Sequence, residues 1–312
     1  MIIDIFPHLI SERVIQFVGK KVEIQFKPPP ENADMDARLR LMDKYSIDIH
    51  ALSPTTPMLI GLNPDDAATV CRMSNEDNYA FCKAYPDRFV NICMISLLDV
   101  DSAMAELERS INELDCRGIT VSSNQNGKGL DSKEYFSFYE KVEENDLPIL
   151  IHPTNWEFYP LVNAEEGWNM MVAFGWPFDT TQAVWRLIFG GVLDRFPSLK
   201  IVMHHLGALF PFFAGRADVA APFMEKLSRP FDEYWDNIYG DTAVSRTAAA
   251  VPCGYEFFGA DRMVYASDYP FGAEDGEAFI RDHLTAVRAL DIPEDELEKI
   301  LGQNARALLK IE

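Results

Sequence analysis

Four apolar runs in this chain end on a side chain that can bind a metal ion or move a proton. Ile2 to Phe6 leads into Pro7 and His8, Pro148 to Ile151 into His152, Lys200 to Met203 into His204 and His205, and Met263 to Ser267 into Asp268. Imidazole titrates near neutral pH and is a common nitrogen ligand, and a carboxylate supplies a hard oxygen beside it. Two imidazoles and one carboxylate can hold a zinc-like divalent ion and leave positions open for water or substrate. His8, His152, His205 and Asp268 are therefore candidate ligands or acid/base groups. Taken singly, each has a plainer reading, as a hydrogen-bonded core histidine or an aspartate capping the next segment. Four of them at the ends of apolar runs favour a shared site. Neighbouring residues of a strand face opposite ways, so only one of His204 and His205 is expected to look into it. Asp241, at the end of a further run, could stand behind a ligand or cap a turn. His50, inside a run, and His283, among charged residues on a helix, are expected to be structural or solvated.

The elements that must bring these residues together are legible as an alternation. Strand-like runs lie at Ile2–Phe6, Ile47–Ser53, Phe89–Ser96, Gly118–Ser123, Pro148–His152, Lys200–His205, Asn237–Thr242 and Met263–Asp268, with helical periodicity between them. Eight such units without a composition break predict an α/β fold, a (β/α)8 TIM barrel forming one domain over residues 1–312. The carboxyl ends of its strands would converge on one mouth. A doubly wound open sheet is the alternative. Long loops are inserted after the first strand, including Pro28-Pro29-Pro30, and after the fifth. The second insertion carries Trp156, Phe158, Tyr159, Trp168, Phe174 and Trp176, rings that can pack or can line a pocket for a flat ligand. Asp179-Thr180 is a plausible cap for a helix from Thr181, and Asn126-Gly127 marks a turn.

Composition narrows the partners. A formal net charge of −21 disfavours nucleic acid and anionic membrane surfaces, since both need a field of the opposite sign. The cysteines are 5 in number and form no CxxC pair, which points to reduced thiols and a cytoplasmic protein. No basic, apolar leader opens the sequence, and no apolar stretch approaches a membrane span.

The same residues resemble the amidohydrolase superfamily, in its amidohydrolase-2 branch typified by aminocarboxymuconate-semialdehyde decarboxylase and the resorcylate-type decarboxylases. The resemblance covers nearly the whole chain. It is carried by Ile3-Asp4-Ile5-Phe6-Pro7-His8, Ile151-His152-Pro153, Gly175-Trp176-Pro177-Phe178-Asp179-Thr180-Thr181, Arg195-Phe196-Pro197, His204-His205-Leu206-Gly207, Tyr255-Glu256-Phe257-Phe258-Gly259-Ala260-Asp261-Arg262 and Ser267-Asp268-Tyr269-Pro270-Phe271-Gly272. It implies a distorted TIM barrel with one divalent ion, zinc or manganese, bound by His8, His152 and Asp268, with His205 as catalytic histidine and a homodimeric assembly. Arg216 looks like the position from which related decarboxylases reach a substrate carboxylate, sometimes across a dimer interface; its fork geometry suits that task. One position departs from the pattern. Where the family has His-x-His or Glu-x-His, this chain has Phe6-Pro7-His8, and a phenyl ring cannot coordinate. Either three protein ligands retain the ion, or the site is metal-free with Phe6 as an apolar floor. The fourth strand ends in Ser122-Ser123 without the lysine that bridges two metals elsewhere in the superfamily, so a binuclear centre is not expected.

The expected reaction is non-oxidative decarboxylation of a small aromatic or dienoic carboxylic acid. Asp268 and His205 would be the catalytic pair, and Arg216, Trp156 and Phe6 would contact the substrate. Protonating the carbon that bears the carboxylate interrupts conjugation, so a positioned acid and fixed charges facing the intermediate are what a protein can supply. Two other readings stay open: a metal-dependent hydrolase or hydratase acting on a lactone, amide or conjugated acid, and a non-catalytic ligand-binding barrel suggested by Phe6.

Overall fold

Apolar strands flanked by amphipathic helices have one economical solution here, a closed parallel barrel with its second apolar face covered by helices. The structure is a computed structural model that describes the chain except residues 25–28, 155–169, 221–226 and 245–248. Among the described residues, the barrel strands are β1 (Ile3–Asp4), β2 (Ile49–Pro54), β3 (Phe89–Met94), β4 (Cys116–Ser122), β5 (Pro148–His152), β6 (Lys200–Met203), β7 (Ile238–Asp241) and β8 (Met263–Val264), hydrogen-bonded in that order. Every neighbouring pair is parallel. Beyond the last strand, Ile5 N donates to the Tyr265 carbonyl at 3.0 Å, which joins β8 back to β1. The expected TIM barrel is thus the observed one, and the open sheet is excluded.

The distortion lies in the first unit. The run read as one strand over Ile2–Phe6 is broken: after β1 the chain bends and re-pairs as His8–Leu9 against Ser53 and Pro54 of β2. Pro7 lacks the amide hydrogen a continuous ladder needs, which accounts for the break. Inward-facing Ile3, Ile5, Ile49, Ala51, Ile92, Leu150, Val202, Val264 and Ala266 fill the barrel, and Ala305, Leu308 and Leu309 of the C-terminal helical segment join the same cluster. Ile149, Ile151, Ile201 and Met203, of opposite parity, pack outward against the helices.

Helices follow their local signals. α1 (Pro64–Ala84) opens with proline at its first position and Asn63 as cap, whose side chain accepts from Asp66 N at 2.9 Å. It carries Asn75 into the interior. The Asn75 amide donates to the Met94 carbonyl at 3.0 Å and to Glu106 of α2 (Val100–Glu113) at 2.8 Å, and accepts from Met94 N at 2.7 Å. Asn75→Leu keeps the volume but strands these partners in the core. It is expected to lower unfolding free energy by about 2–4 kcal/mol, read as a lower urea midpoint with an unchanged slope.

One local reading is revised. Asp179 does not cap a helix beginning at Thr181. The helix α3 (Trp176–Phe189) starts earlier, continuing a π-helical turn over Met171–Gly175, and Asp179 sits buried in its first turn. Its carboxylate accepts from Ser123 Oγ, from Asn124 Nδ2 at 3.1 Å and from Thr154 N at 3.1 Å, tying together the loops after β4 and β5. His50 and His283 are both buried, the structural alternative of the two read for them. Asn126-Gly127 turns the expected corner, both with positive φ, between the short strands Asn124–Gln125 and Lys128–Gly129. Among the described residues no helix is long and apolar enough to cross a membrane.

Candidate active site

The parity of the inward residues carries over to the strand ends. His152 is two residues beyond Leu150 and His204 two beyond Val202, so both imidazoles continue the interior face of the barrel. Asp268 likewise follows Val264 and Ala266 at even spacing. His8 enters from the bend after β1, where its backbone is fixed on both sides. His8 N donates to the Tyr269 carbonyl at 2.6 Å, and the buried Arg38 guanidinium donates to the His8 carbonyl at 2.6 Å.

The three buried imidazoles share one arrangement. His8 Nδ1 lies 3.4 Å from the Ser53 carbonyl, His152 Nδ1 2.6 Å from the Pro153 carbonyl, and His204 Nδ1 is paired with the Asp241 carboxylate. Carbonyl and carboxylate oxygens only accept, so Nδ1 carries the hydrogen in each ring and Nε2 of the neutral ring presents a lone pair. Nε2 of His8 is 3.2 Å and Nε2 of His204 is 3.6 Å from Asp268 Oδ1. Neither of these nitrogens has a hydrogen-bond partner among the described residues, although both are buried. His8, His152 and His204 each bring a ligand atom within 4.8 Å of the others, and His204, His205 and Asp268 do the same. Phe6, fully buried, forms one wall of the cluster: its ring stacks on His204 at 4.1 Å and meets His8 edge-on at 5.3 Å.

His205 stands differently. β6 ends at Met203, and His205, Leu206 and Ala208 all have positive φ, so the chain turns sharply before alternation applies to the second histidine. The expectation that only one of the pair faces the site is therefore overturned: His204 reaches it from the strand direction and His205 from the turn, their ring centroids 3.9 Å apart. The His205 ring lies parallel to Trp176, 8° between planes and 6.3 Å between centroids. His205 Nδ1 and Trp176 Nε1 are both buried without a partner among the described residues.

The site's charges are strongly coupled. Burial works against the Asp268 carboxylate, but His204 and His8 outweigh it and hold it well below the usual range. Burial also opposes charge on His204, yet Asp241 and then Asp268 prevail and push it up to about 9. Burial lowers His8 and lowers His152 strongly, and with the neighbouring His204 it brings His205 down to about 3. The facing carboxylates thus favour charge on His204, whereas burial disfavours it on His8, His152 and His205.

Of the residues singled out from sequence, His8, His152, His205, Asp268 and Phe6 meet at this mouth. Arg216 lies exposed on α4 (Phe210–Ala220), and Trp156 falls outside the described residues. Asp241, read as either a support or a cap, supports His204. The sequence reading passed over His204 itself. Its signal was a second imidazole at the end of β6 in a chain whose first strand had lost one.

The matches to known proteins extend over the same length of chain. The amidohydrolase family (Amidohydro_2) is matched over residues 4–311. A gamma-resorcylate decarboxylase of Rhizobium sp. is 30% identical, with 89% of this chain and 87% of that protein covered. Decarboxylase orsB of Emericella nidulans is 28% identical over 97% of this chain and 95% of its own length. The crystal structure of a 2,6-dihydroxybenzoate decarboxylase complexed with 2,6-dihydroxybenzoate superposes with a TM-score of 0.85 at 25% identity, covering 99% of this chain and 98% of that one. By fold, by motif and by these relatives, the chain belongs to the amidohydrolase family.

Proposed function

We propose that this chain is a carboxy-lyase that removes CO2 without redox chemistry from a small aromatic or dienoic carboxylic acid, with one divalent ion, zinc or manganese, at the barrel mouth. The observation that carries this reading is that His205 and Asp268 lie within 4.8 Å of each other at the edge of a buried imidazole cluster in which His8 and His204 turn Nε2 toward that carboxylate. The decarboxylases of aromatic acids matched over most of the chain support the same reaction class.

The donors fit a metal ion. His8 Nε2 is buried with no hydrogen-bond partner among the described residues, an arrangement that costs about 1–3 kcal/mol unless something fills it, and it faces Asp268. His8, His152 and Asp268 would hold the ion. When bound, it supplies positive charge that draws electron density from the substrate carboxylate and an adjacent hydroxyl. The chain's own groups do the rest. Trp176 Nε1–H and the His205 ring, unpartnered among the described residues, are available to orient a carboxylate, and Phe6 keeps water from the floor. A substrate carboxylate beside His205 favours the protonated imidazole. His205 then gives its proton to the carbon bearing the carboxylate. The C–C bond breaks, its electron pair returns to the conjugated system, CO2 leaves, and solvent restores the proton.

Exposed Phe174, Phe178, Phe212 and Phe213, on neighbouring helical segments joined by the Leu209 N to Thr181 Oγ1 bond, support a homodimer covering this face. Arg216, on the same helix as Phe212, would then be available to a partner's substrate. The free cysteines support a cytoplasmic setting.

Purified protein incubated with hydroxybenzoates and muconate semialdehydes, with Zn2+ or Mn2+, is expected to release CO2 from at least one member. Products that gain the mass of water would instead establish a hydrolase or hydratase. No turnover across the panel would sink the proposal.

A further inference from the structure

His204 is the one buried imidazole in the mouth that the ligand set above leaves unused. Its geometry matches that of the assigned histidines. Nδ1 is anchored outward, on Asp241, and Nε2 is turned inward, buried, without a hydrogen-bond partner among the described residues and 3.6 Å from Asp268 Oδ1. Asp241 is itself held, accepting from Leu206 N at 3.3 Å and Ala243 N at 3.0 Å, so the carboxylate that orients the ring does not swing. A carboxylate on the far nitrogen is the arrangement that fixes the tautomer of a metal-binding histidine and raises its basicity. The ring plane is set by Phe6, which stacks on it at 4.1 Å with 21° between planes.

We infer that His204 is a metal ligand that takes over the coordination position vacated on the first strand by Phe6, with Asp241 as its positioning carboxylate and the Phe6 ring as its backing. This rests on the reading of a divalent ion in the mouth. The ligand set becomes His8, His152, His204 and Asp268, and the imidazole has moved from β1 to β6 without leaving the site. Phe6 is then more than a lost ligand. A histidine at position 6 would compete with His204 for the same coordination position, whereas a phenyl ring has no donor atom and packs flat against it.

Equilibrium dialysis with Zn2+ and Co2+ tests this without any turnover. His204→Gln is expected to weaken binding by about 100-fold and Asp241→Asn by about 10-fold, the range that loss of an orienting partner produces. The double variant Phe6→His/His204→Ala is expected to regain affinity over His204→Ala alone, because it returns the imidazole to β1. If the variants fold poorly, the wild-type protein loaded with Co2+ still decides. Ligation through Nε2 leaves an exchangeable Nδ1–H on each ring, so three strongly shifted ligand N–H resonances are expected. Two such resonances, or His204→Gln binding as tightly as wild type, would overturn the role of His204 while leaving the metal reading standing. Wild-type protein that binds neither ion would overturn both.

Discussion

Asp268→Asn is expected to lower kcat for CO2 release by about 1,000-fold or more and to weaken divalent-ion binding in the same protein. The reason is where the carboxylate sits. It is the shared neighbour of His8 and His204, with Oδ1 3.2 and 3.6 Å from their Nε2 atoms, and its side chain retains 15% exposure toward the mouth. An amide of the same shape presents no negative charge to an ion, so the effect should appear in metal content as well as in rate. Asparagine is the informative replacement because Asp268 has φ +62°, a conformation that asparagine tolerates better than alanine does. A loss of activity therefore reports on the carboxylate and not on a strained turn, and the melting temperature of the metal-free variant serves as the control. Full activity and unchanged metal binding would reduce Asp268 to a cap on the segment after β8.

The same turn chemistry explains what the sequence could and could not disclose. Strand ends at His8, His152 and Asp268 were visible because each apolar run stops abruptly at a polar residue, and a barrel brings such ends together whatever their separation along the chain. Which of His204 and His205 faces inward was not visible. In a parallel barrel both faces of a strand are apolar, so Ile201, Val202 and Met203 carry no alternation to read. Inward parity emerged only once Leu150 and Val202 were seen packing with Ile3 and Val264 inside the barrel. The positive φ of His205, which lets the second imidazole enter too, has no sequence mark of the kind a glycine gives, since the left-handed residues are His205, Leu206 and Ala208 alongside Gly207. The burial of Asp179 was hidden for a related reason. Asp-Thr before an apolar run has the composition of a helix cap, and only the π-turn over Met171–Gly175 moves the helix start upstream and turns Asp179 onto Ser123 and Thr154. The break in the first strand, by contrast, could be read from Pro7 alone.

His205→Asn is expected to cut kcat by about 100- to 10,000-fold, the range for losing a positioned general acid, while leaving ion affinity within about threefold of wild type. That combination separates it from every other residue of the cluster. His8, His152 and His204 present ligand atoms to one another, and His8 and His204 meet Asp268, whereas His205 enters from the left-handed turn after β6 and lies against the Trp176 ring. Its Nδ1 is buried with no partner among the described residues, so the replacement removes a proton carrier without breaking a hydrogen bond there. Asparagine again suits the φ of +58°. The split between kcat and metal content is the deciding measurement. A variant that loses its ion together with its activity would make His205 part of the coordination sphere and leave the proton transfer without a donor. One that keeps both would show that the ring carbon takes its proton from somewhere else in the mouth, with Asp268 as the remaining group in reach.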